Sequence, residues 1–324
     1  MKLATTDNGT RDGQLMVVSR DHSRAVAATG IAATLQDALE GWHEVEEPLR
    51  ALADALAGGS VAGAIDFVAA QALAPLPRAW QWLDGSAYNS HGDLMRLATG
   101  RPAPPSDAPL MYQGLSHTFL AATADFPTPS EAHNIDFEGE FGIIVDDVPM
   151  GTTAEQAAAH IKLIVQINDW SLRGFALRES KIGFGWVQAK PECSMAPIAV
   201  TPDELGPYWR DGRVDLPLIV DWNGERFGAA QGYHMAWSFP EHVAHAAKSR
   251  ALCAGTIIGS GTVSNDDYRE VGSSCIAERR GIETIDHGAP RTGFMKFGDR
   301  VRMEATMPGG APLFGAIDQR VVQG

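Results

Sequence analysis

The chain has 324 residues, of which 44% are hydrophobic and 20% charged, and its formal net charge is −14 at pH 7. The length allows one large domain plus a small one, and the acidic balance excludes the basic footprint of a nucleic-acid-binding protein and opposes binding to anionic membranes. No apolar run has the length of a signal peptide or a membrane span, and Cys193, Cys253 and Cys275 form no Cys-x-x-Cys pair. We therefore expect a cytoplasmic protein whose cysteines are small buried residues.

Residues 1–75 are predicted to form a small unit that serves structure or dimerisation. Residues 15–18 have the apolar character of a strand. Thr34 begins a capping box for a first helix, and Pro48 is expected to open a second one. Because two prolines within residues 74–77 force an extended path, we place a linker there and assign residues 76–324 to a second, larger domain.

The elements of the larger domain are predicted from apolar periodicity and turn residues. They are a proline-rich loop over 101–109, a short strand over 110–114, a helix from Thr152 to about Lys162, a strand over 216–224 that enters an Asn-Gly turn, a helix over 241–252, and strands joined by turns from Ile282 onward. Residues 163–167 fit either a helix or a strand.

The stretch 134–145 contains two carboxylates, Glu138 and Glu140, in a run that is typical of a strand. Because side chains alternate along a strand, both carboxylates point to the same face. Such a pair is tolerated where the face is wet or a cation lies between the charges. If Asp169 lies near this face, three carboxylates make an all-oxygen site that suits Mg²⁺, Mn²⁺ or Ca²⁺ and leaves positions open for a chelating substrate.

His242 and His245 lie three residues apart on the helix expected over 241–252. A metal would need a third ligand at a suitable spacing, and the sequence offers none. We therefore expect these histidines to be solvated or to cap the helix. Asp146 and Asp147 are most simply a charged pair in a turn.

Several motifs occur along the chain in a specific order and spacing. They are Asp84-x6-His91, Asp136-Phe-Glu138-Gly-Glu140, Asn168-Asp169-Trp-Ser-x-Arg173, Lys190, Ser260-Gly-Thr262-Val-Ser264 and Gly272-Ser-x4-Glu278. Their order and spacing resemble those of the fumarylacetoacetate hydrolase family. The resemblance covers residues 75–324, and residues 1–75 match the family's small N-terminal domain more loosely. The resemblance implies an α+β, mostly β fold, with a mixed β-roll C-terminal domain, a small α/β N-terminal domain and a homodimeric assembly.

The resemblance also implies roles for single residues. The implied ligands of one divalent cation (Mg²⁺, Mn²⁺ or Ca²⁺) are Glu138, Glu140 and Asp169, with Asp84 as the additional ligand of two-domain members. The implied catalytic residues are His91 as general base, Glu278 as the acid that orients it, and Arg173 and Lys190 as cations near a developing oxyanion. The implied substrate contacts are Tyr112 and Thr262, together with Arg173 and Lys190.

These roles lead us to expect a metal-dependent hydrolase that cleaves a carbon–carbon bond in a small anionic 2,4-diketo acid, as in aromatic catabolism. A cation would act as a Lewis acid, and His91 would activate water. Where eukaryotic members carry a glutamine that helps to hold the oxyanion, this chain has Ala176, so the acyl group need not be that of fumarylacetoacetate. The alternatives are decarboxylation or enol–keto isomerisation on the same core, and a non-catalytic metal-stabilised binding protein.

Overall fold

A computed structural model describes residues 1–59, 61–99 and 107–324. Most of the proline-rich loop expected over 101–109 lies outside these residues. The α-helices are α1 (Leu35–Glu40), α2 (Trp42–Ala57), α3 (Asn89–Thr99), α4 (Ala154–Ala157), α5 (Arg173–Ile182), α6 (Phe239–Ala246), α7 (Tyr268–Val271) and α8 (Ile276–His287). Short 3-10 helices lie at Ala69–Gln71, Glu131–His133, Ala158–His160, Pro202–Tyr208 and Gly232–His234.

The strands are numbered in chain order. They are β1 (Lys2–Thr6), β2 (Gln14–Val18), β3 (Arg24–Ala27), β4 (Ile65–Asp66), β5 (Trp82–Gly85), β6 (Met111–Gln113), β7 (Phe126–Thr128), β8 (Ile135–Asp136), β9 (Gly139–Val145), β10 (Ile161–Asn168), β11 (Ser171–Leu172), β12 (Ser194–Met195), β13 (Ala199–Val200), β14 (Trp209–Arg210), β15 (Arg213–Val214), β16 (Pro217–Trp222), β17 (Glu225–Gln231), β18 (Ile257–Gly259), β19 (Arg300–Glu304) and β20 (Ile317–Gln323).

The largest sheet has the order β4-β3-β2-β1-β13-β10-β9-β18-β5-β6, with β12 also paired to β10. All neighbours in it are antiparallel except β18 and β5, which are parallel. A five-stranded sheet has the order β17-β16-β19-β20-β7. This mixed, mostly β architecture with several helices confirms the predicted fold class. The N-terminal strands continue the large sheet, because β1 pairs with β13.

Alternate residues of β9 enter two different cores. Ile143 belongs to a core that also contains Leu218 and Met303 of the five-stranded sheet. Ile144 faces the other way, into a core that contains Leu39 and Trp42 of the N-terminal helices. Since both faces of the large sheet are covered, its central strands are buried on both sides, and any polar side chain on them needs a partner or an ion.

Several local predictions are confirmed. Thr34 caps α1 through a reciprocal capping box with Asp37. Residues 163–167 lie in β10, which settles the choice between helix and strand. The turn between β16 and β17 has Asn223 and Gly224 at φ 53° and 82°, the left-handed region that a tight hairpin needs.

Other boundaries were wrong. The helix expected to open at Pro48 begins six residues earlier, at Trp42, whose buried indole Nε1 donates to Glu46 Oε2 at 2.9 Å and stabilises the first turn. The proline therefore lies inside α2 and removes one backbone donor there. The helix expected from Thr152 to Lys162 is capped by Thr153 and spans four residues, because the chain enters β10 at Ile161.

The last two boundary errors concern helix ends. The helix predicted over 241–252 ends at Ala246. The strands predicted from Ile282 begin at residue 300, because α8 continues to His287 and ends at Gly288 in the left-handed conformation. Helix α8 packs on α3, and Ile282 is buried. Across the described ranges, no helix combines the length and apolarity that crossing a membrane requires.

Candidate active site

Four buried carboxylates meet near the ends of the central strands of the large sheet. Asp84 lies on β5, Glu140 lies on β9, and Asp169 directly follows β10. Glu138 immediately precedes β9 and forms an isolated β-bridge with Cys275. One oxygen atom from each of the four carboxylates lies within 4.8 Å of the others. The structure thus brings together the carboxylates for which the sequence indicated a cation site, and we call them the carboxylate cluster.

Gly259 gives the carboxylate cluster its space. This residue ends β18, the strand that pairs with both β5 and β9. A Cβ atom at Gly259 would lie 2.5 Å from Asp84 Oδ1 and 2.9 Å from Glu140 Oε2. A side chain here would therefore fill the space between the two carboxylates. The neighbours of Gly259 follow only from strand pairing.

Glu138 is bonded through both carboxylate oxygens. Its Oε1 accepts from Ser171 Oγ at 2.7 Å and from Lys190 Nζ at 2.9 Å, and its Oε2 accepts from Thr262 Oγ1 at 2.9 Å. Arg173 Nη2 also lies 2.6 Å from Oε1. Burial alone would raise the pKa of Glu138, but the positive charges of Lys190 and Arg173 outweigh it and lower the pKa. Glu138 is therefore a fixed negative charge.

Asp169 is held by three side chains. Its Oδ2 accepts from Tyr112 Oη at 2.6 Å and from Lys190 Nζ at 2.5 Å, and its Oδ1 accepts from the Cys193 thiol at 2.9 Å. Burial, reinforced by Asp169, raises the pKa of Tyr112, so this hydroxyl stays a neutral donor. Burial lowers the pKa of Lys190, but Asp169 and Glu138 overcome that effect and raise it, so Lys190 stays a cation.

Asp84 and Glu140, when ionised, carry charge that no cation among the described residues contacts directly. Neither carboxylate oxygen of Glu140 accepts a hydrogen bond from the described residues, and Asp84 Oδ1 accepts one from the Gly261 N–H at 3.1 Å. Burial, and then the neighbouring carboxylates, raise the pKa of both groups. With all four carboxylates ionised, Lys190 and Arg173 leave an excess of two negative charges. A buried all-oxygen donor set with this excess fits a hard divalent cation.

Asp136 is a structural partner of the site whose role the sequence reasoning missed. Its carboxylate accepts from the backbone N–H groups of Ile276 and Ala277, at 2.7 and 2.9 Å, and so binds the N-terminus of α8. It also accepts from Arg173 Nε at 2.8 Å. Asp136 thus fixes both a cation of the site and the helix that carries Glu278. The sequence signal for this role was its position two residues before Glu138, which places both side chains on the same side of the chain.

His91 and Glu278 form a contact between α3 and α8. His91 Nδ1 lies 2.8 Å from Glu278 Oε2. Glu278 is fully buried, whereas the His91 side chain is 19% exposed. Since an ionised carboxylate accepts the Nδ1 proton, the other ring nitrogen, Nε2, is the one that can take a proton. The pair borders the carboxylate cluster, because the backbone partner of Glu138, Cys275, also accepts the Glu278 N–H at 3.3 Å.

The match with known proteins is at the level of a family. A family model described as fumarylacetoacetate (FAA) hydrolase C-terminal matches residues 81–322, and one described as fumarylacetoacetase N-terminal domain 2 matches residues 1–78. The chain belongs to the fumarylacetoacetate hydrolase family. A fumarylacetoacetase of Caenorhabditis elegans is 25% identical over 255 residues, which are 69% of this chain and 58% of that relative. The chain therefore spans less than two thirds of the length of that relative.

Solved structures of the family share the fold. Maleylpyruvate hydrolase from Sphingobium sp. SYK-6, determined with manganese(II) and pyruvate, has a TM-score of 0.66 at 18% identity over the whole of both chains. A 5-carboxymethyl-2-hydroxymuconate delta-isomerase from Mycobacterium smegmatis has a TM-score of 0.59 at 17% identity and covers 100% of this chain and 99% of its own. At these identities the likeness establishes the fold, and the family contains both hydrolases and isomerases.

Four residues that family resemblance assigned to the substrate bond directly to the carboxylate cluster. They are Tyr112, Thr262, Arg173 and Lys190. The hydroxyls of Tyr112 and Thr262 donate to Asp169 and Glu138. Both cations form ion pairs with cluster carboxylates. Their positions at the site follow from the geometry, and their roles toward a substrate stay predictions.

A cavity of about 810 Å³ lies beside the carboxylate cluster and is lined in part by Tyr112. Its other walls come from β5 and β6, from the loop after α5, and from the end of α6 with the segment that follows it, which contains Lys248 and Arg250. We call it the side cavity. Its full lining could not be predicted from sequence patterns, because its walls come from segments that are distant in the chain.

Two expectations for single residue types were wrong. Cys193 and Cys275 are buried as expected, but Cys253 is exposed because it lies in the turn between α6 and β18. His242, expected to be solvated or capping, is fully buried, and its Nδ1 lies 2.9 Å from the Ser238 carbonyl oxygen. Burial lowers the pKa of His242 to about 4, so the ring is neutral and donates from Nδ1.

Proposed function

We propose that the protein is a divalent-cation-dependent hydrolase that cleaves a carbon–carbon bond in a 2,4-diketo acid, such as an acylpyruvate. One observation carries the proposal: a buried, all-oxygen carboxylate cluster with excess negative charge borders a histidine–carboxylate pair. The cluster accounts for binding of a hard cation, and the pair accounts for activation of water. Neither element alone would indicate hydrolysis.

Asp84, Glu138, Glu140 and Asp169 would hold one Mg²⁺, Mn²⁺ or Ca²⁺ ion. When bound, such an ion supplies a Lewis acid that polarises the adjacent carboxylate and keto oxygens of a diketo acid and makes its carbon fragment a better leaving group. The manganese and pyruvate in the related maleylpyruvate hydrolase support this assignment. The unpartnered oxygens of Glu140 support it within this chain.

His91 would act as the general base. Its Nδ1 is bonded to Glu278, so Nε2 takes a proton from a water molecule that attacks the remote carbonyl of the substrate. Glu278 holds the ring and stabilises the imidazolium that forms. The hydroxyl of the water joins the acyl group, the carbon–carbon bond breaks, and the proton on His91 is returned to the departing carbon. The products are a carboxylic acid and a 2-keto acid.

Lys190 and Arg173 would stabilise the alkoxide that forms at the attacked carbonyl, since such a charge needs fixed donors nearby. Lys190 suits this role because its ammonium group is buried and stays charged. Its contacts with Glu138 and Asp169 place it at the edge of the carboxylate cluster. Arg173 is oriented by Asp136 and Glu138.

Decarboxylation and enol–keto isomerisation are the alternative reactions, because the carboxylate cluster with its cation serves them too. The contact between His91 and Glu278 favours hydrolysis, since those reactions have less need of a base that activates water. The proposal includes a cytoplasmic homodimer. The free cysteines and the exposed apolar side chains of Ile182 and Phe184, which a partner subunit would cover, support these two parts.

A panel of 2,4-diketo acids with different acyl groups tests the proposal. The protein is stripped of ions with a chelator and reconstituted with Mg²⁺, Mn²⁺ or Ca²⁺, and loss of the enol absorbance is followed. We expect no turnover after stripping and restored turnover with at least one ion. Full activity of the exhaustively chelated protein would contradict the cation dependence, and tight ion binding without turnover of any diketo acid would favour a non-catalytic binding protein.

A further inference from the structure

A carboxylate on α5 holds the loop that leads to Lys190. Glu179 Oε1 accepts from the backbone N–H of Gln188 at 2.8 Å, and Glu179 Oε2 accepts from that of Ala189 at 3.0 Å. The N–H of Val187 donates to both oxygens at 3.2 Å. Three consecutive backbone donors thus converge on one side chain, and successive N–H groups of this kind bind anions well. We call these contacts the Glu179 clasp.

The Glu179 clasp depends on negative charge. Burial alone would raise the pKa of Glu179, but the hydrogen bonds from the three backbone N–H groups outweigh it and lower the pKa. The side chain is therefore ionised at neutral pH, and its contacts are charge-assisted, which makes them about twice as strong as those of a neutral acceptor. An amide at this position would keep the shape but would offer the three donors only one acceptor oxygen.

The loop that the Glu179 clasp closes has little packing of its own. Within the single chain, residues 183–185, 187 and 188 are exposed, and Trp186 is half-buried. Gly183 ends α5 at φ 80°, and Gly185 has φ 106°, so the chain can turn back along the helix. Because an exposed loop gains little from apolar contacts, the hydrogen bonds of its backbone determine its path.

The clasp fixes the peptide unit that precedes Lys190. The Ala189 N–H donates to Glu179, and the Ala189 carbonyl oxygen accepts from the Leu172 N–H at 2.8 Å. Leu172 directly precedes Arg173, the first residue of α5. The same helix therefore carries Arg173 at its start and holds the backbone before Lys190 through Glu179. Helix α5 is thus the common support of the two cations proposed to stabilise the alkoxide.

We propose that Glu179 is a positioning residue for Lys190, which acts through the loop and makes no contact with the substrate. Lys190 Nζ lies 2.9 Å from Glu138 Oε1 and 2.5 Å from Asp169 Oδ2. Since the clasp holds the backbone at one end of the side chain and the carboxylates hold the other, a shift of the loop displaces the ammonium group. This inference rests on the proposed function and extends it to a residue outside the carboxylate cluster.

Two substitutions test the inference in the Mn²⁺-loaded protein: Glu179→Ala removes the clasp, and Glu179→Gln weakens it while keeping the shape. Lys190 acts on charge that forms only in the transition state. We therefore expect Glu179→Ala to lower kcat about 100-fold, the usual result of about 1 Å of misplacement, with KM little changed. The kcat of Glu179→Gln should lie between those of Glu179→Ala and the unmodified protein. An unchanged kcat in Glu179→Ala would overturn the inference and leave the hydrolase proposal intact.

Glu283→Ala is the matched control. Glu283 lies on α8 and accepts from the backbone N–H groups of Arg291 and Thr292 at 2.6 and 2.8 Å, so it holds the loop after its own helix in the same way. We expect the kcat of this variant to equal that of the unmodified protein. An equal fall of kcat in Glu179→Ala and Glu283→Ala would show that loss of any such contact has this effect, and it would overturn the inference.

Calorimetric titration of the ion-stripped variants with Mn²⁺ reports the position of Lys190 without turnover. A Lys190 ammonium group that moves away no longer offsets the charge of Glu138 and Asp169. We therefore expect Glu179→Ala to bind Mn²⁺ at least about threefold more tightly, the effect of one partly screened charge a few ångströms away. A general loosening of the site would weaken binding. If the unmodified protein turns over no diketo acid, the proposed function fails and this titration decides the inference, which unchanged or weaker Mn²⁺ binding would refute.

Discussion

The carboxylate cluster and the side cavity share Tyr112 but are built in opposite ways. The cluster residues lie on or beside β5, β9 and β10, are at most 5% exposed, and are held by neighbouring donors or packed against the backbone. The side cavity is lined partly by β5 and β6, but its other wall residues come from a loop and a helix end whose side chains are largely exposed. The carboxylate cluster thus lies on rigid strands, which hold a fixed geometry, whereas much of the side cavity lies on segments of the kind that tolerate change.

The largest effect is expected from Glu140→Gln, which keeps the shape of the side chain and removes one charge from the carboxylate cluster. Because Glu140 oxygens have no partner among the described residues, the loss falls on cation binding and not on a hydrogen-bond network. We expect activity to drop at least about a thousandfold, together with weaker Mn²⁺ binding by calorimetry. Glu225→Gln, an exposed control, should match the unmodified protein. Unchanged Mn²⁺ affinity would remove Glu140 from the site.

His91→Ala separates water activation from cation binding. We expect kcat/KM to fall by about 10² to 10⁴, the usual contribution of a general base, while Mn²⁺ affinity stays the same. His287→Ala, at the exposed end of α8, is the control. A rate unaffected by His91→Ala would refute the assignment of the base.

Asp136→Asn should have a smaller effect, because Asp136 positions other residues. The amide keeps the shape but weakens the contacts with Arg173 and with the start of α8. We expect kcat/KM to fall about 10- to 100-fold, as for partners that orient a site. If only thermal stability changes and kcat/KM does not, Asp136 has a purely structural role.

The smallest effect on activity is expected from a substitution of His242, which lies between the carboxylate cluster and the side cavity. Its Nε2 would be 2.7 Å from a Cβ atom at Gly85, next to Asp84, and its helix leads to the side cavity. The folded protein keeps this ring neutral down to a pKa of about 4, whereas an unfolded chain protonates it near 6.5. The unfolded state therefore gains protons first as the pH falls, and stability is lost between pH 6.5 and 4.

That loss amounts to up to about 3 kcal/mol of unfolding free energy for His242 alone. The variant His242→Asn keeps a donor for Ser238 and does not titrate, so denaturant unfolding from pH 7 to 4 should show a shallower decline than in the unmodified protein. His245→Asn, at a half-buried position, is the control. Identical slopes for the His242 variant and the unmodified protein would show that the ring is protonated in the folded state.

The carboxylate cluster could be predicted from the sequence better than the side cavity. Alternation along one strand was enough to place Glu138 and Glu140 on a common face, whereas the position of Asp169 beside them was a condition of the hypothesis, and family resemblance supplied its role as a ligand. His91 and Glu278 could be paired only through family resemblance, because 187 positions separate them. The space left by Gly259 depends on which strands flank β18, and strand order is a property of the whole chain.

The side cavity was not predictable for a related reason. Lys248 and Arg250 lie where a helix was expected to continue, and only the end of α6 at Ala246 turns them toward the loop after α5. Burial of His242 likewise depends on how closely α6 packs on β5, which the spacing of two histidines cannot show. Patterns of period two or 3.6 identify faces of single elements, whereas cavities arise between elements.

Product analysis tests the central claim most directly. A diketo acid that the protein consumes is incubated with the Mn²⁺-loaded enzyme, and carboxylic acid, 2-keto acid and carbon dioxide are quantified against substrate lost. The account requires one carboxylic acid and one 2-keto acid for each substrate molecule, without release of carbon dioxide. Stoichiometric carbon dioxide, or loss of the enol signal without cleavage products, would contradict hydrolysis and assign the carboxylate cluster to decarboxylation or isomerisation.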